Sequence, residues 1–289
     1  MLVRNLLTIV ALACAISFTA DAQRILFVSK SSGFEHSVVK AREDGGNLVA
    51  DIFGELAEAH EGVELTATKD ASLINAENLK NYDLVIFYTS GNLTESGGDK
   101  SKGIFAGDGN PPMGKDGLKD LIEWIEGGGA FMGFHCASDT FHSLTEEPSE
   151  YVKLLGGEFE RHGQQFMGTV RTADEGHPAM TDFPKDWRIM DEWYLFKNFN
   201  MDRIHVLAVL DAGEEREKQK MYDTPAYPVI WCSEVGEGRV YYNAMGHRED
   251  VWLDERFQQS VVVASTWALG EGDADAEPNY SDIISAKER

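Results

Sequence analysis

Short apolar runs alternate with helical patterns through the first half of the chain, and this alternation constrains the fold more than any other feature. Four runs are predicted strands: RILFVS (24–29), VELTAT (63–68), YDLVIFYTS (82–90) and AFMGF (130–134). Apolar spacing between residues 36 and 58 predicts one helix, and residues 117–126 predict another, which three glycines end. The pattern therefore predicts an α/β fold whose mostly parallel sheet is flanked by helices.

The second half of the chain is richer in strands. The predicted strands are MGTVRTA (167–173), WRIMDEWYLF (187–196), HVLAVL (205–210), PVIWCSEV (228–235) and GRVYYNAMG (238–246). A Gly-Glu-Gly turn joins the last two as a hairpin, so this half adds antiparallel strands to the sheet. A final helix is predicted over residues 254–269. The acidic, polar tail over 271–289 is expected to fray.

The first 22 residues are typical of an export signal. Arg4 precedes an apolar stretch over 6–18, and the small-x-small sequence ADA ends at Ala22. The stretch is too short to span a bilayer comfortably, so no transmembrane span is predicted in the mature chain. A lipoprotein with acylated Cys14 is the disfavoured alternative, because Ala11 stands where a larger aliphatic residue is usual. Both versions place the mature chain outside the cytoplasm, in the periplasm or secreted.

Charge and cysteine content exclude several classes of protein. The formal net charge of −23 repels phosphate backbones, so nucleic acid is not an expected partner. Removal of the signal leaves Cys136 and Cys232, which are too few for a disulfide framework and are expected to be buried as small apolar side chains, although a pair between them stays open. The strand–helix alternation predicts one domain over residues 23–270, and no nucleotide cofactor is predicted.

Four polar residues follow predicted strands or interrupt them. They are His36, His135, Glu192 and His247. Ligands of open parallel sheets bind beyond the carboxyl ends of the strands, so these side chains are expected to converge there. The sequence GFHCA (133–137) has the shape of a nucleophile elbow, in which His135 takes the exposed position and Cys136 points elsewhere.

These side chains permit two kinds of chemistry. Imidazoles with one carboxylate suit Zn²⁺ or a similar divalent ion, so His135, His247 and Glu192 are candidate metal ligands. No close His-x-x-x-His pair occurs, and an acid/base cluster of the same residues is the alternative. His36 is a candidate substrate contact, but it also suits a cap of the first helix, and Glu192 also suits the polar face of a strand.

Further candidates for substrate binding lie near these positions. Asp139 follows the elbow, and flanking glycines expose His162. Trp193 and Tyr194, with Trp252, are either core residues or stacking faces for a sugar ring.

An ordered set of motifs gives the chain a family resemblance. The motifs are GFEHS, GFHCASDTFH, LGGEFERHG, HPAM, DEWY, PVIWCSEVGEGRVYYNAMGHREDVW and WALG. With these the chain resembles the ThuA-like family of trehalose utilisation over residues 24–270. The resemblance implies a flavodoxin-like, class I glutamine amidotransferase-like fold and a link to sugar catabolism. It further implies a sugar or keto-sugar substrate and, as a pathway partner, a sugar oxidoreductase that makes 3-keto sugars.

The resemblance also shows a departure from true glutamine amidotransferases, which place Cys at the elbow and complete a triad with a late His-x-Glu. Here His247 and Glu249 match the late pair, but the elbow residue is His135. The main hypothesis is an exported hydrolase, lyase or isomerase that acts on a 3-keto sugar or glycoside through His135, His247 and Glu192. The alternatives are a non-catalytic carbohydrate-binding or sensing module and a degenerate hydrolase that uses Cys136.

Overall fold

A computed structural model describes residues 22–272 and 276–284. All but the last residue of the predicted export signal, including Cys14, lies outside the described residues. Within the two described ranges, no helix has the length and apolar character needed to cross a membrane.

Within residues 22–272 and 276–284 the chain forms eleven strands and seven α-helices. The strands are β1 (Gln23–Val28), β2 (Val63–Thr68), β3 (Leu84–Phe87), β4 (Ala130–Phe134), β5 (Glu158–His162), β6 (Phe166–Thr172), β7 (Asp186–Asp191), β8 (Tyr194–Lys197), β9 (His205–Asp211), β10 (Tyr227–Val235) and β11 (Gly238–Asn243). The helices are α1 (Leu48–Ala59), α2 (Gly117–Glu126), α3 (Glu150–Leu155), α4 (Glu215–Lys218), α5 (Glu249–Trp252), α6 (Glu255–Ala268) and α7 (Tyr280–Ile283).

Nine strands form one mixed sheet in the order β2-β1-β3-β4-β11-β10-β9-β6-β7. The strands from β2 to β11 in this order are parallel, and each later neighbour is antiparallel. Strands β5 and β8 pair separately as an antiparallel ribbon. The predicted α/β class, with a mostly parallel part followed by added antiparallel strands, is confirmed.

Helices cover both faces of the parallel part, as residues on opposite faces of β4 show. Phe131 packs against Tyr151 of α3, whereas Phe134 packs against Phe53 of α1 and Phe257 of α6. All five residues of β4 are buried, which explains its unbroken apolar sequence. The carboxyl ends of β1, β3, β4 and β11 therefore meet at one edge between two helical layers.

The predicted strand over residues 187–196 is wrong as a single element. The chain leaves the large sheet after Asp191 and joins the ribbon at Tyr194. Trp193 turns into the core, where its Nε1 donates to Phe166 O at 3.0 Å. Period-2 alternation cannot distinguish one long strand from two short strands of different sheets, and the break puts Glu192 in an irregular segment.

Two further boundaries differ from the sequence prediction. The first α-helix begins only after Asn47, whose side chain caps it by accepting from Ala50 N at 2.9 Å. Residues 158–162, for which the sequence predicts no strand, form strand β5, and His162 in it is exposed as predicted.

The described part of the tail is packed, not frayed. Asn279 Oδ1 accepts from Val206 N at 2.6 Å, and its Nδ2 donates to Val206 O at 3.2 Å. Tyr280 and Ile284 are buried. The side chain of Asn279 thus satisfies the backbone of Val206 in β9, outside the part of β9 that pairs with β6.

The antiparallel half of the sheet curls back over the carboxyl edge. Strand β7 stands four places from β11, a separation of about 19 Å in a flat sheet. Yet Gly246 N, just after β11, donates to Asp191 Oδ2 at 2.7 Å. This curl delivers the end of β7 to the loops that follow the parallel strands.

Candidate metal centre

The candidate centre begins at a strained turn after β4. His135 has a φ of 42°, a left-handed value that costs a residue with a side chain roughly 1–3 kcal/mol. Its carbonyl oxygen accepts from Tyr242 Oη at 2.6 Å and from Ser138 Oγ at 3.1 Å. Gly133 makes the turn possible, because a Cβ there would lie 3.0 Å from the Ala137 Cβ. The predicted elbow geometry is therefore present with histidine at its apex.

The imidazole of His135 has a fixed tautomer. Its Nδ1 lies 2.8 Å from Ala244 O, a pure acceptor, so Nδ1 carries the proton and Nε2 the lone pair. The ring is fully buried, with the Tyr194 ring at a centroid distance of 4.1 Å. Burial lowers the pKa of His135, which favours the neutral ring.

Glu192 supplies the carboxylate of the centre. Its Oε2 lies 3.6 Å from His135 Nε2 and 3.1 Å from His247 Nδ1. Burial alone would raise the pKa of Glu192, but its contacts with the His135 and His247 imidazoles, of which His247 Nδ1 donates to the carboxylate, outweigh it and lower the pKa. Glu192 is therefore an anion in a largely buried site.

Asp191 holds the two segments that carry Glu192 and His247. Its carboxylate accepts from Glu192 N at 2.9 Å and from Gly246 N at 2.7 Å. The side chain is fully buried, and this burial raises the pKa of Asp191 to about 7. Asp191 is not among the predicted site residues, because only the curl of the sheet brings Gly246 to it.

Three donor atoms form a compact triangle at the centre. His247 Nδ1 lies 3.2 Å from His135 Nε2, which completes the two distances to Glu192 Oε2. In a tetrahedral zinc site with metal–nitrogen distances near 2.05 Å, neighbouring ligand atoms are about 3.3 Å apart. Since His135 Nε2 and Glu192 are acceptors, His247 Nδ1 alone brings a proton to the triangle. The arrangement fits a divalent cation that displaces this proton, because all three atoms then direct lone pairs to one point.

His36 is the fourth member of the cluster. One ligand atom from each of His36, His135, Glu192 and His247 lies within 4.8 Å of all the others. The His36 Nε2 lies 3.3 Å from Tyr194 Oη, while its buried Nδ1 has no hydrogen-bond partner among the residues that the structure describes. Burial lowers the pKa of His36 well below its usual range. A neutral imidazole with an unused nitrogen is a suitable metal or substrate contact.

His162 lies at the mouth of the centre. Its Nδ1 is 3.2 Å from Glu192 Oε1 and 2.9 Å from Gly163 O, so Nδ1 carries the proton and Nε2 the lone pair of the neutral ring. The side chain is 42% exposed. His162 therefore contacts both solvent and the buried carboxylate.

The other predicted contacts lie elsewhere or are buried. Asp139 pairs with His142, whose Nδ1 contacts Glu158 Oε1 at 3.0 Å. Trp193 and Trp252 have no exposed surface, which leaves neither ring a face for a sugar. The predicted stacking role of these two tryptophans is therefore not supported by the structure. Tyr194 instead packs on His135 and positions the His36 ring.

The thiol alternative meets a physical obstacle. Cys136 is fully buried, and burial raises its thiol pKa well above the usual range, which disfavours a thiolate nucleophile. Glu249, the acid of the late His-x-Glu, accepts from Ser37 Oγ at 2.5 Å. Cys136 and Cys232 are both free thiols, so the possible disulfide between them is absent.

Comparisons with known proteins agree with this architecture. The family model ThuA, described as trehalose utilisation, matches residues 24–268. A ThuA-like protein from Bacteroides uniformis is 22% identical with a TM-score of 0.64, over 90% of this chain and 96% of that one. A second, from Parabacteroides merdae, is 15% identical with a TM-score of 0.59, over 86% and 90%.

A more distant similarity extends the same fold to another bacterium. A cytoplasmic protein from Salmonella typhimurium is 9% identical with a TM-score of 0.52, over 84% of this chain and 98% of that one. At these identities the solved structures establish the fold alone. No curated protein matches the chain.

Proposed function

The chain belongs to the ThuA family of trehalose utilisation, and on this premise we propose that it is an exported enzyme of carbohydrate catabolism whose metal centre acts on a 3-keto sugar or glycoside. His135, Glu192 and His247, with His36 as a fourth donor, would hold the metal. The observation that carries the proposal is the triangle of donor atoms with edges of 3.1, 3.2 and 3.6 Å.

The donor set also suits a catalytic site better than a structural one. Structural zinc sites are closed by four strong ligands, commonly thiolates, whereas catalytic sites keep a position open. Here the donors are imidazoles and one carboxylate, and exposed His162 stands beside them. The Nδ1 of His135 donates to a backbone carbonyl, as ligating histidines usually do, and this fixes Nε2 towards the centre.

A bound divalent cation such as Zn²⁺ would polarise the ketone of the substrate and acidify the adjacent C–H bond. His162 Nε2 is the proposed base that takes this proton, because its Nδ1–H is already directed to acceptors. The electron pair of the broken C–H bond forms a carbon–carbon double bond as the glycosidic C–O bond breaks. The departing oxygen then takes a proton, and addition of water to the double bond completes net cleavage.

Export is the part of the proposal that rests on sequence alone. Arg4, the apolar stretch over 6–18 and the ADA sequence at 20–22 support it. Expression of the full chain, followed by N-terminal sequencing of the extracytoplasmic fraction, tests it. A mature protein that begins at Gln23 is expected, and an uncleaved chain retained in the cytoplasm would refute export.

The central experiment measures metal content and turnover of the purified protein. After chelation and reloading with Zn²⁺ or Mn²⁺, one metal ion per chain is expected by elemental analysis. The loaded protein is then incubated with 3-keto-trehalose and with a 3-keto-glucoside, and the products are followed by mass spectrometry. Release of glucose or of the aglycone, absent with chelator, is the expected result.

Variants separate the centre from the rest of the chain. His135→Ala should lose both the bound metal and turnover, whereas His162→Gln should retain the metal and lose turnover. His60→Gln is the matched control, since His60 is exposed at the end of α1 and should leave both unchanged. A metal-loaded wild-type protein that leaves every keto sugar intact would refute the enzyme and favour the carbohydrate-binding alternative.

A further inference from the structure

Two aromatic side chains lead outwards from the centre and take no part in the proposed chemistry. The Phe34 ring lies edge-to-face on His36 with centroids 4.8 Å apart, and the Phe105 ring lies 6.4 Å from Phe34. These two distances together place the Phe105 ring at most 11.2 Å from the His36 ring. A disaccharide can cover this span, so one substrate could contact the centre and both rings.

The outer part of this pair is unusually exposed for an apolar surface. Phe105 is 58% exposed and the adjacent Ile104 is 69% exposed. Both lie in the glycine-rich segment over residues 97–109. Large apolar residues exposed beside a cluster of polar side chains commonly mark a ligand-binding surface.

A buried cation, Lys30, binds both ends of the segment that carries Phe105. Lys30 has a fully buried side chain, and its Nζ donates to Ser96 O at 2.8 Å and Asn110 O at 2.7 Å. It also pairs with Asp108 Oδ1 at 3.4 Å. Buried lysines are rare unless their charge is satisfied in this way. The two ends of the segment are therefore fixed to the end of β1.

A second set of contacts ties the segment to the residues that lead to Phe34. Asp108 Oδ2 accepts from Ser31 N at 2.7 Å, and Asp108 N donates to Ser31 O at 2.8 Å. A Cβ at Gly107 would lie 2.8 Å from Ser31 O, so glycine is required for this close approach. The exposure of Phe105 is thus part of an ordered arrangement with Phe34 and His36.

We infer that Phe34 and Phe105, whose rings are inclined at 62° to each other, form an aromatic platform on which the exposed Phe105 stacks against a pyranose ring of the substrate. The C–H face of a pyranose is apolar and flat enough to lie on an aromatic ring, while its hydroxyl groups stay at the edge for polar contacts. This platform replaces the buried Trp193 and Trp252 as the sugar-binding surface. The inference rests on the proposed function for the reacting end of the sugar, but sugar binding itself can be measured without turnover.

The test is calorimetric binding of trehalose to the Zn²⁺-loaded protein, with sorbitol as a polyol that has similar hydroxyl groups and no ring face. Phe105→Ala should weaken trehalose binding about tenfold, and Phe105→Tyr should keep it within about twofold because the aromatic face remains. Met201→Ala is the matched control, since Met201 is 45% exposed in a turn outside the segment, and it should bind as wild type. Metal content should be unchanged in all three variants.

Three results would overturn the platform. They are wild-type affinity for trehalose in Phe105→Ala, equal binding of sorbitol and trehalose, and the absence of wild-type binding both to trehalose and to methyl α-glucoside, which is measured as a second sugar probe. None of these decides whether His135 holds a metal or whether keto sugars are cleaved, so the proposed function is judged separately. Conversely, trehalose binding that depends on Phe105 in a protein without turnover would keep the platform and refute the enzyme.

Discussion

Glu158 offers a quantitative test of the contacts that hold the β5–β8 ribbon to the turn after the elbow. Its buried carboxylate accepts from Ser143 N at 3.0 Å, Ser143 Oγ at 2.6 Å, His142 Nδ1 at 3.0 Å and Asn198 Nδ2 at 2.8 Å. It therefore joins the turn after the elbow to the β5–β8 ribbon, whose strand β5 ends at His162. We predict that Glu158→Gln destabilises the protein in a strongly pH-dependent way.

The magnitude follows from the pKa of the carboxyl group. Burial alone would raise the pKa of Glu158, but the hydrogen bonds from Ser143, His142 and Asn198 outweigh it and lower the pKa from 4.5 to about 2. A lowered folded-state pKa stabilises the fold above the unfolded pKa, and this stability is lost as the pH falls from 4.5 towards 2. This lowering of the pKa corresponds to about 3 kcal/mol of folding stability at pH 6, of which about 2 kcal/mol is lost by pH 3.

The assay is urea unfolding of wild type and Glu158→Gln at several values between pH 3 and pH 6. The window ends at pH 6 because of His142, whose pKa is raised above 6.5 chiefly by its hydrogen bond to Asp139. A raised histidine pKa gives stability that is complete below the unfolded pKa and is lost only as the pH rises through the folded pKa. His142 therefore contributes a constant amount within the window.

The expected difference in unfolding free energy between the two proteins is about 3 kcal/mol at pH 6 and about 1 kcal/mol at pH 3. Glu160→Gln is the matched control on the same strand, because Glu160 is partly exposed and should change stability by less than about 0.5 kcal/mol at either pH. A difference that stays the same from pH 3 to pH 6 would show that Glu158 acts through its shape and not its charge.

Three further changes test other parts of the structure. Asp191→Asn should weaken metal binding about 10–100-fold in a chelator competition, because its amide NH₂ would face the N–H of Gly246 or of Glu192. Unchanged affinity would contradict the positioning role of Asp191. Lys30→Met should speed trypsin cleavage within residues 97–109, because the carbonyls of Ser96 and Asn110 lose their donor. Cleavage at the wild-type rate would show that the lysine does not anchor the segment. Asn279→Ala should lower the unfolding free energy measured by urea denaturation by about 2 kcal/mol, because the backbone N–H and C=O of buried Val206 lose their partner. A change under about 0.5 kcal/mol would show that the tail contributes little.

Much of the fold can be predicted from the sequence because its parallel strands are buried on both faces. The prediction for β4 matches Ala130–Phe134, and that for α2 matches Gly117–Glu126, since glycines end one helix and begin the next strand locally. The break between β7 and β8 could not be predicted in this way. It depends on contacts of Asp191 and Trp193 with residues far along the chain, and local alternation carries no information about such contacts.

The candidate site was predictable for a similar reason and to a similar extent. Parallel strands place their carboxyl ends at one edge, so His36, His135 and His247 could be expected to meet there. Glu192 is also expected there and joins them, but it does so through the curl of the antiparallel half, which neither periodicity nor spacing reveals. The burial of Trp193 and the exposure of Phe105 reverse the sequence-based choice of stacking residues, because composition alone does not tell which aromatic side chains lie in the core.

The elbow explains how this fold can direct a histidine lone pair into the candidate centre. The strained φ of His135 is maintained by Tyr242 Oη on its carbonyl oxygen, and its ring is oriented by Ala244 O. Both partners belong to β11 or the residue after it, and the same segment delivers His247. The strained turn therefore holds the lone pair of His135 Nε2 towards His247 and Glu192. The segment after β11 supplies the second nitrogen, and the thiol of Cys136 lies in the core.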